Sequence, residues 1–84
     1  MAYAVTLSSA AEKQLSKLDR SIAGRLTDAL ARLADQPRPS GCKKLTGIDA
    51  WRIRVGDYRV VYQIRDERLF ILVIRIGHRR EVYD

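Results

Sequence analysis

The chain has 84 residues, of which 46% are hydrophobic and 31% are charged, and its net charge is +6. This length suits one small domain with a modest core, and the composition excludes the Pro-rich or charge-rich sequences of disordered proteins. We therefore expect a single folded domain over residues 1–84, with a basic surface.

The N-terminal segment predicts a strand followed by a helix. Tyr3–Leu7 is a short run of residues that favour strands. Ser9 and Glu12 then have the spacing of a capping box, in which each side chain satisfies a backbone N–H of the first helical turn. The first helix is predicted from about Ala10 to Leu18, with a narrow apolar stripe that packs on the sheet.

A second helix carries the strongest helical pattern in the chain. Asp19 or Ser21 can cap it, and it should end near Asp35 because Pro37 and Pro39 cannot continue a helix. Its apolar residues recur at spacings of three and four: Ile22, Leu26, Ala29, Leu30 and Leu33. Residues 36–41 are predicted to form a linker, and residues 43–49 a loop with at most a short extended entry.

Residues 51–64, WRIRVGDYRVVYQI, predict a β-hairpin with a Gly56-Asp57 turn. Successive side chains of a strand point to opposite faces, so pairing of the two strands places three arginines on one side of the sheet: Arg52, Arg54 and Arg59. Tyr58 and Tyr62 have the opposite parity and are predicted to lie in the core. A cationic sheet face of this kind is suited to binding phosphate.

After a turn at residues 65–68, the run LFILVIRI from Leu69 to Ile76 is apolar on both parities and predicts a well-covered strand. Arg75 is interpreted as a rim charge. The resulting order is β-α-α-β-β-β. It indicates an α+β fold with two N-terminal helices packed on a mostly antiparallel four-stranded sheet.

The C-terminal sequence GHRREVYD places a histidine, two arginines and a tyrosine after the last strand. If this tail turns back across the cationic face, Arg79 and Tyr83 join the hairpin arginines in a nucleic-acid site, with guanidinium groups on phosphate and a ring stacked on a base. Lys43, Lys44 and Arg80 are further candidates for RNA binding. A frayed, solvated terminus is the alternative.

The distribution of charge supports an anionic partner. Residues 1–42 contain six Lys and Arg against four Asp and Glu, and residues 43–84 contain ten against six. Nucleic acid fits better than a membrane because no basic amphipathic helix carries bulky apolar residues on its opposite face. A basic face that is simply solvated is the alternative.

Several site classes receive no support from the residue inventory. Cys42 is the only cysteine, so no internal disulfide can form. With one histidine and no cysteine pair or carboxylate cluster at ligand spacing, we expect neither a metal nor a cofactor. A signal segment and a long apolar run are also lacking, so we expect a cytoplasmic protein.

The remaining chemistry is attack by the 2′-hydroxyl of RNA on the neighbouring phosphate without a metal. This reaction needs a proton acceptor, a proton donor and cations around the developing phosphorane charge. Arginine suits the last role but accepts protons poorly. Acid or base duty therefore falls to His78, Glu81 or Tyr83.

The element order, the hairpin WRIRVGDYRVVY and the ending GHRREVY together resemble the RelE toxins of the RelE/ParE superfamily over essentially the whole chain. The resemblance implies a type II toxin: a ribosome-dependent mRNA endonuclease that acts in the A site and is silenced in a hetero-oligomer with its antitoxin. It also implies functional roles for five residues, namely Arg52, Arg54, Arg59, Arg79 and the base-stacking Tyr83.

Two departures from the best-known RelE concern proton transfer. That toxin has lysines where this chain has Arg52 and Arg54, and it has no tail histidine. We therefore take His78 as the candidate for proton transfer, with a loop histidine bonded to backbone as the alternative.

Two other functions share the fold. A ParE-like toxin inhibits DNA gyrase without cleaving RNA and should not need Arg59, Arg79 and Tyr83. A catalytically inactive basic module that only binds its antitoxin or RNA is the third hypothesis.

Overall fold

The computed structural model describes residues 2–80 of the chain. This part contains two helices, five strands and a short 3-10 turn at Asp66–Arg68. The helices and strands are, in chain order, β1 Ala4–Leu7, α1 Ser9–Ser16, α2 Arg20–Asp35, β2 Lys43–Lys44, β3 Trp51–Val55, β4 Tyr58–Arg65 and β5 Phe70–His78.

The strands form one mixed sheet in the order β1-β5-β4-β3-β2. β1 runs parallel to β5, and the other neighbours are antiparallel. The predicted α+β fold with two helices on a mostly antiparallel sheet is confirmed. The expected number of four strands was wrong, because Lys43 and Lys44 pair with Arg52 and Trp51 as a fifth strand that is too short to show an alternating pattern.

The start of α1 differs by one residue from the predicted capping box. Ser8 is the N-cap, and its Oγ accepts a hydrogen bond from the N–H of Ala11 at 3.1 Å. The Ser8 N–H still belongs to the sheet, since it donates to the Val73 carbonyl at 2.8 Å. The chain therefore turns from strand to helix at one residue, and α1 ends at Ser16 rather than Leu18.

α2 has the predicted end and one of the two predicted caps. Asp19 is the cap residue, and its Oδ1 accepts a hydrogen bond from the Ile22 N–H at 3.0 Å. The helix ends at Asp35, before the two prolines of the linker. The linker is held by Tyr62, whose hydroxyl donates to the Pro37 carbonyl at 2.7 Å.

The main core lies between the helices and one face of the sheet. Tyr62 is fully buried there and Tyr58 is half-buried, as predicted. Burial raises the pKa of the Tyr62 phenol, so its hydroxyl remains a donor. The largest other fully buried side chains are Leu26, Leu33, Val60, Ile71, Val73 and Ile76.

A β-bulge divides β5 into two halves. Tyr62 pairs with Val73, but the preceding residue Val61 pairs with Arg75, so Ile74 is an extra residue on β5. Because a one-residue insertion exchanges the two faces, the core side chains of β5 change from odd to even positions after the bulge. Ile76 consequently lies in the core, opposite Val60.

Two side chains near α1 hydrogen-bond the bulged part of β5. The Ser8 hydroxyl donates to the Ile74 carbonyl at 3.0 Å, and the Gln14 side-chain oxygen accepts from the Ile76 N–H at 2.8 Å. β1 pairs with β5 only as far as Val73. These side chains therefore continue the hydrogen bonding along β5 beyond the end of β1.

Candidate nucleic-acid interface

Three hairpin arginines share one face of the sheet, the face opposite the helices. Arg54 pairs directly with Arg59, and Arg52 pairs with Val61. Residues that pair across two strands lie on the same face, so the predicted grouping of these three side chains is confirmed. The tight turn at Gly56-Asp57 holds both strands in this register.

The arginines differ in burial, which the alternating pattern does not predict. Arg54 is exposed and Arg59 is half-buried, whereas Arg52 is only 4% exposed. The Nε atoms of Arg52 and Arg59 are both buried. A guanidinium partly removed from water interacts more strongly with an anion, because the local dielectric constant is lower.

A second, smaller hydrophobic cluster lies next to Arg52 on this face. Leu45 and Ala50, from the segment between β2 and β3, pack with Val61 and Ile74. The sequence predicts residues 43–49 as a loop with at most a short extended entry, which matches β2 and the segment after it. That segment covers part of the arginine face through contacts with residues distant in the chain, and no local pattern indicates them.

The hairpin turn is supported by α2 and by the end of β5. Gly56 has φ +62°, and the Arg25 guanidinium lies against it, 3.2 Å from the position that a Cβ would take. On the other side, the Arg79 N–H donates to the Asp57 carbonyl at 2.8 Å. The structure thus brings the backbone of Arg79 to the turn that joins the strands of Arg54 and Arg59.

His78 lies apart from the arginines. It is the last residue of β5, not a loop residue, and it pairs with Tyr58 on the helix-covered side. The two rings meet edge to face with centroids 5.5 Å apart. The Arg80 N–H donates to Nδ1 of His78 at 3.3 Å. The structure does not bring His78 onto the arginine face, because the bulge gave β5 the opposite parity at this end.

The two candidate lysines are also separated. Lys43 is exposed and pairs with Arg52. Lys44 instead forms an ion pair with Asp49 at 2.8 Å, and its ammonium lies 5.5 Å from the centroid of the Trp51 ring. Arg80 is exposed. Lys43 is therefore the lysine that extends the arginine face.

Tyr83 and Glu81 lie outside the described residues. Their proposed roles in base stacking and proton transfer therefore rest on the sequence. Within residues 2–80 no group of three or more His, Cys, Asp or Glu side chains is placed to hold a metal ion. In the same range, no helix has the length and apolar character needed to cross a membrane.

Arg75, interpreted from the sequence as a rim charge, is exposed on this face. The bulge puts it opposite Val61, in the same cross-strand row as Arg52. The sequence carries no signal of the bulge, because the run LFILVIRI is apolar on both parities and shows no change of parity.

A groove of about 890 Å³ lies between α2 and β3, next to the arginine face. Its apolar lining includes Ala29, Leu33 and Ile53, and its basic lining includes Arg25 and Arg32. β2 pairs only with the first two residues of β3. Within the described chain, the remainder of β3 is thus an open sheet edge beside this groove.

Comparison with known proteins agrees with this geometry. The family model described as the ParE toxin of the type II toxin–antitoxin system parDE matches residues 5–83. A RelE-like toxin protein of Escherichia coli is 38% identical over 90 residues, covering 100% of this chain and 93% of that protein. The mRNA interferase toxin RelE of Escherichia coli K12 is 34% identical, with 99% and 92% of the two chains covered.

A solved structure shows the same fold. The toxin in the intact RelBE toxin–antitoxin complex of Escherichia coli superposes with a TM-score of 0.81 at 31% identity, over 92% of this chain and 96% of that one. The matches in sequence and structure extend over nearly the full length of the chain. The protein therefore belongs to the RelE/ParE family of type II toxins.

Proposed function

We propose that this toxin is a ribosome-dependent mRNA endonuclease that cleaves mRNA in the ribosomal A site and so inhibits translation. The observation that carries the proposal is the direct pairing of Arg54 with Arg59, beside the buried Arg52, on the sheet face opposite the helices. Cations at neighbouring positions suit a phosphate that gains charge during a reaction. The 34% sequence identity to the mRNA interferase toxin RelE of Escherichia coli K12 also supports a nuclease function.

The reaction is attack of a ribose 2′-oxygen on the adjacent phosphorus. The new O–P bond forms as the bond to the 5′-oxygen breaks, and the 2′-proton is removed while the leaving oxygen gains one. Guanidinium groups of Arg54 and Arg59 bind the non-bridging oxygens as charge develops there, a role that a metal ion fills in other nucleases. Arg79 adds a further cation, and Tyr83 stacks on a base.

An antitoxin is the proposed protein partner, since the RelE neighbour is solved as a RelBE toxin–antitoxin complex. The groove between α2 and β3 offers apolar contacts, basic side chains and an open strand edge. An extended, acidic antitoxin segment can add to that edge by backbone hydrogen bonding. An antitoxin segment bound in this groove would lie next to the arginine face and would hinder access of RNA to it.

A ParE-like action on DNA gyrase is the second candidate, because the matching family model describes ParE toxins. This function requires no cleavage chemistry on the arginine face. Substitution of Arg59 should then have little effect on toxicity, whereas it should slow cleavage by a nuclease about a hundredfold.

The test uses full-length toxin freed of its antitoxin, added to mRNA on programmed ribosomes and, in parallel, to gyrase with relaxed plasmid. We expect cleavage in A-site codons, slowed about a hundredfold by Arg59→Ala because one charge-stabilising donor is lost. Arg20→Ala is the matched control, since it removes the same charge from an exposed position at the start of α2. Tyr83→Ala removes the ring proposed to stack on a base, whereas Tyr83→Phe removes only the hydroxyl, so the pair tests the two proposed roles of Tyr83 separately.

The outcomes separate the candidates. Intact mRNA together with lost supercoiling would reject the nuclease and support the gyrase inhibitor. Intact mRNA and normal supercoiling would support the third hypothesis, a catalytically inactive module that only binds its antitoxin or RNA. Cleavage by Arg59→Ala at the wild-type rate would show that the paired arginines do not stabilise the reacting phosphate.

A further inference from the structure

The β-bulge at Ile74 determines which face of the sheet carries Arg75. Without the extra residue, the pairing of Tyr62 with residue 73 would continue with Val60 opposite Arg75. Val60 is fully buried under the helices, so the guanidinium would enter the core. With the bulge, Arg75 is opposite Val61 on the arginine face and is exposed.

The position of Arg75 extends the cationic surface over a third strand. Arg52 on β3, Val61 on β4 and Arg75 on β5 form one cross-strand row, and Arg54 with Arg59 forms the next. Neighbouring strands lie about 4.8 Å apart, so β3 and β5 are separated by about 10 Å. The cluster of Leu45 and Ala50 covers Val61, and Arg52 is only 4% exposed, so the arginines of this face that solvent reaches are Arg54, Arg59 and Arg75. Together they suit a nucleic-acid backbone that passes beside the cluster.

In the row of Arg54 and Arg59, the paired residue on β5 is Gly77, which adds no cationic side chain. Because glycine has no side chain, Gly77 carries no group that could bind an anion next to Arg59. Arg75 is therefore the β5 residue of this face whose side chain can reach an anion next to Arg59. Its position is maintained by Ser8 and Gln14, which hydrogen-bond the backbone of Ile74 and Ile76.

We propose that Arg75 binds a phosphate of the RNA strand that neighbours the cleaved phosphate, and so contributes to binding rather than to the chemical step. The proposal rests on the nuclease function for its choice of RNA as the ligand. An arginine that holds a backbone phosphate contributes affinity that does not depend on base sequence and that weakens as salt rises.

The test measures binding of full-length, antitoxin-free toxin to a short single-stranded RNA with 2′-O-methylated riboses, which cannot undergo 2′-hydroxyl attack. Fluorescence anisotropy is recorded at several salt concentrations between about 50 and 200 mM. We expect Arg75→Ala to weaken binding about tenfold at low salt. It should also reduce the slope of log affinity against log salt by about 0.7, the value for one phosphate contact on a single strand.

Two variants keep this test decisive. Arg75→Lys retains the charge and should keep nearly the wild-type salt slope, whereas Arg20→Ala removes a charge on the helix side and should leave the slope unchanged. A purely structural Arg75 would lower the melting temperature of Arg75→Ala without changing the slope. That result, or the absence of salt-dependent RNA binding by the wild type, would overturn the proposal.

The readout is independent of the proposed nuclease. Ribosomes and cleavage play no part in the anisotropy measurement, so a wild-type toxin that leaves mRNA intact can still show the Arg75 contribution. If cleavage does occur, Arg75→Ala should raise the toxin concentration needed for half-maximal rate about tenfold and leave the maximal rate within about twofold.

Discussion

At the scale of single residues, the arginine face opposes local stability. Like charges on directly paired residues destabilise a sheet, and Arg54 lies directly opposite Arg59. Burial of the Arg59 Nε and of nearly all of Arg52 adds a desolvation cost. A phosphate bound in the way proposed above would lessen the repulsion between Arg54 and Arg59.

The same scale gives a prediction for the histidine. A side chain that transfers a proton contributes about a hundredfold or more to the rate. Because His78 lies against Tyr58 on the helix side, we expect His78→Gln to slow A-site cleavage by less than about threefold. Cleavage rates of the variant and of Arg59→Ala are measured side by side.

A larger loss in His78→Gln would contradict this expectation. Slowing of more than about tenfold, with loss of a titration from the pH–rate profile, would place the imidazole in the reaction. The ring would then have to reach around the end of β5.

At the scale of elements, the hairpin depends on a turn that only glycine fits well. Gly56 has a positive φ, and the Arg25 guanidinium from α2 lies 3.2 Å from the position that a Cβ would take. Among the described residues, Gly24 provides a contrast, since it lies within α2 and a Cβ there would meet nothing within 4 Å. The two glycines therefore predict opposite responses to the same substitution.

We expect Gly56→Ala to lower the free energy of unfolding by about 1 to 2 kcal/mol, because alanine is strained in the left-handed region. Gly24→Ala should raise it by about 0.4 to 1 kcal/mol, since alanine favours the helix and restricts the unfolded chain. Urea unfolding of the two variants measures both values. Equal free energies of unfolding for Gly56→Ala and Gly24→Ala would show that the turn does not strain a side chain at residue 56.

At the scale of the whole molecule, Asp66 joins three distant segments. Its carboxylate accepts two hydrogen bonds from Arg38 of the linker, at 2.9 and 3.2 Å, and one from the Tyr3 hydroxyl at 2.6 Å. The Arg38 guanidinium also lies 5.1 Å from the centroid of the Trp51 ring. The N-terminal segment, the linker and the turn before β5 are thus held together at one end of the sheet.

This cluster predicts a pH-dependent stability. Hydrogen bonds from Arg38 and then from Tyr3 hold the pKa of the Asp66 carboxyl below its usual value. A carboxyl with a lowered folded-state pKa stabilises the fold above its unfolded pKa of about 3.9, and the contribution is lost as pH falls through the folded-state pKa. Asp66→Asn should therefore lower the melting temperature more at about pH 7 than at about pH 3.

Thermal melts of the wild type and Asp66→Asn at both pH values measure this difference. Asp28→Asn, at an exposed position of α2, is the control and should show a smaller and less pH-dependent change. If the difference in melting temperature between the wild type and Asp66→Asn were the same at both pH values, the charge of the Asp66 carboxylate would not be the source of the stabilisation.

The sequence by itself determined the element order, the end of α2, the hairpin and the side of the sheet on which Arg52, Arg54 and Arg59 lie. These features depend on alternation, turn residues and proline, which act between residues close in the chain. The element order, the hairpin WRIRVGDYRVVY and the ending GHRREVY together also resemble the RelE toxins.

Only the tertiary structure decided which cations meet and how deeply they are buried. The segment between β2 and β3 packs against Val61 and Ile74 beside Arg52. The bulge at Ile74 then sends Arg75 to the arginine face and His78 away from it. Its hydrogen bonds come from Ser8 and Gln14, 66 and 62 residues from their partners, and local sequence patterns do not report contacts over such separations.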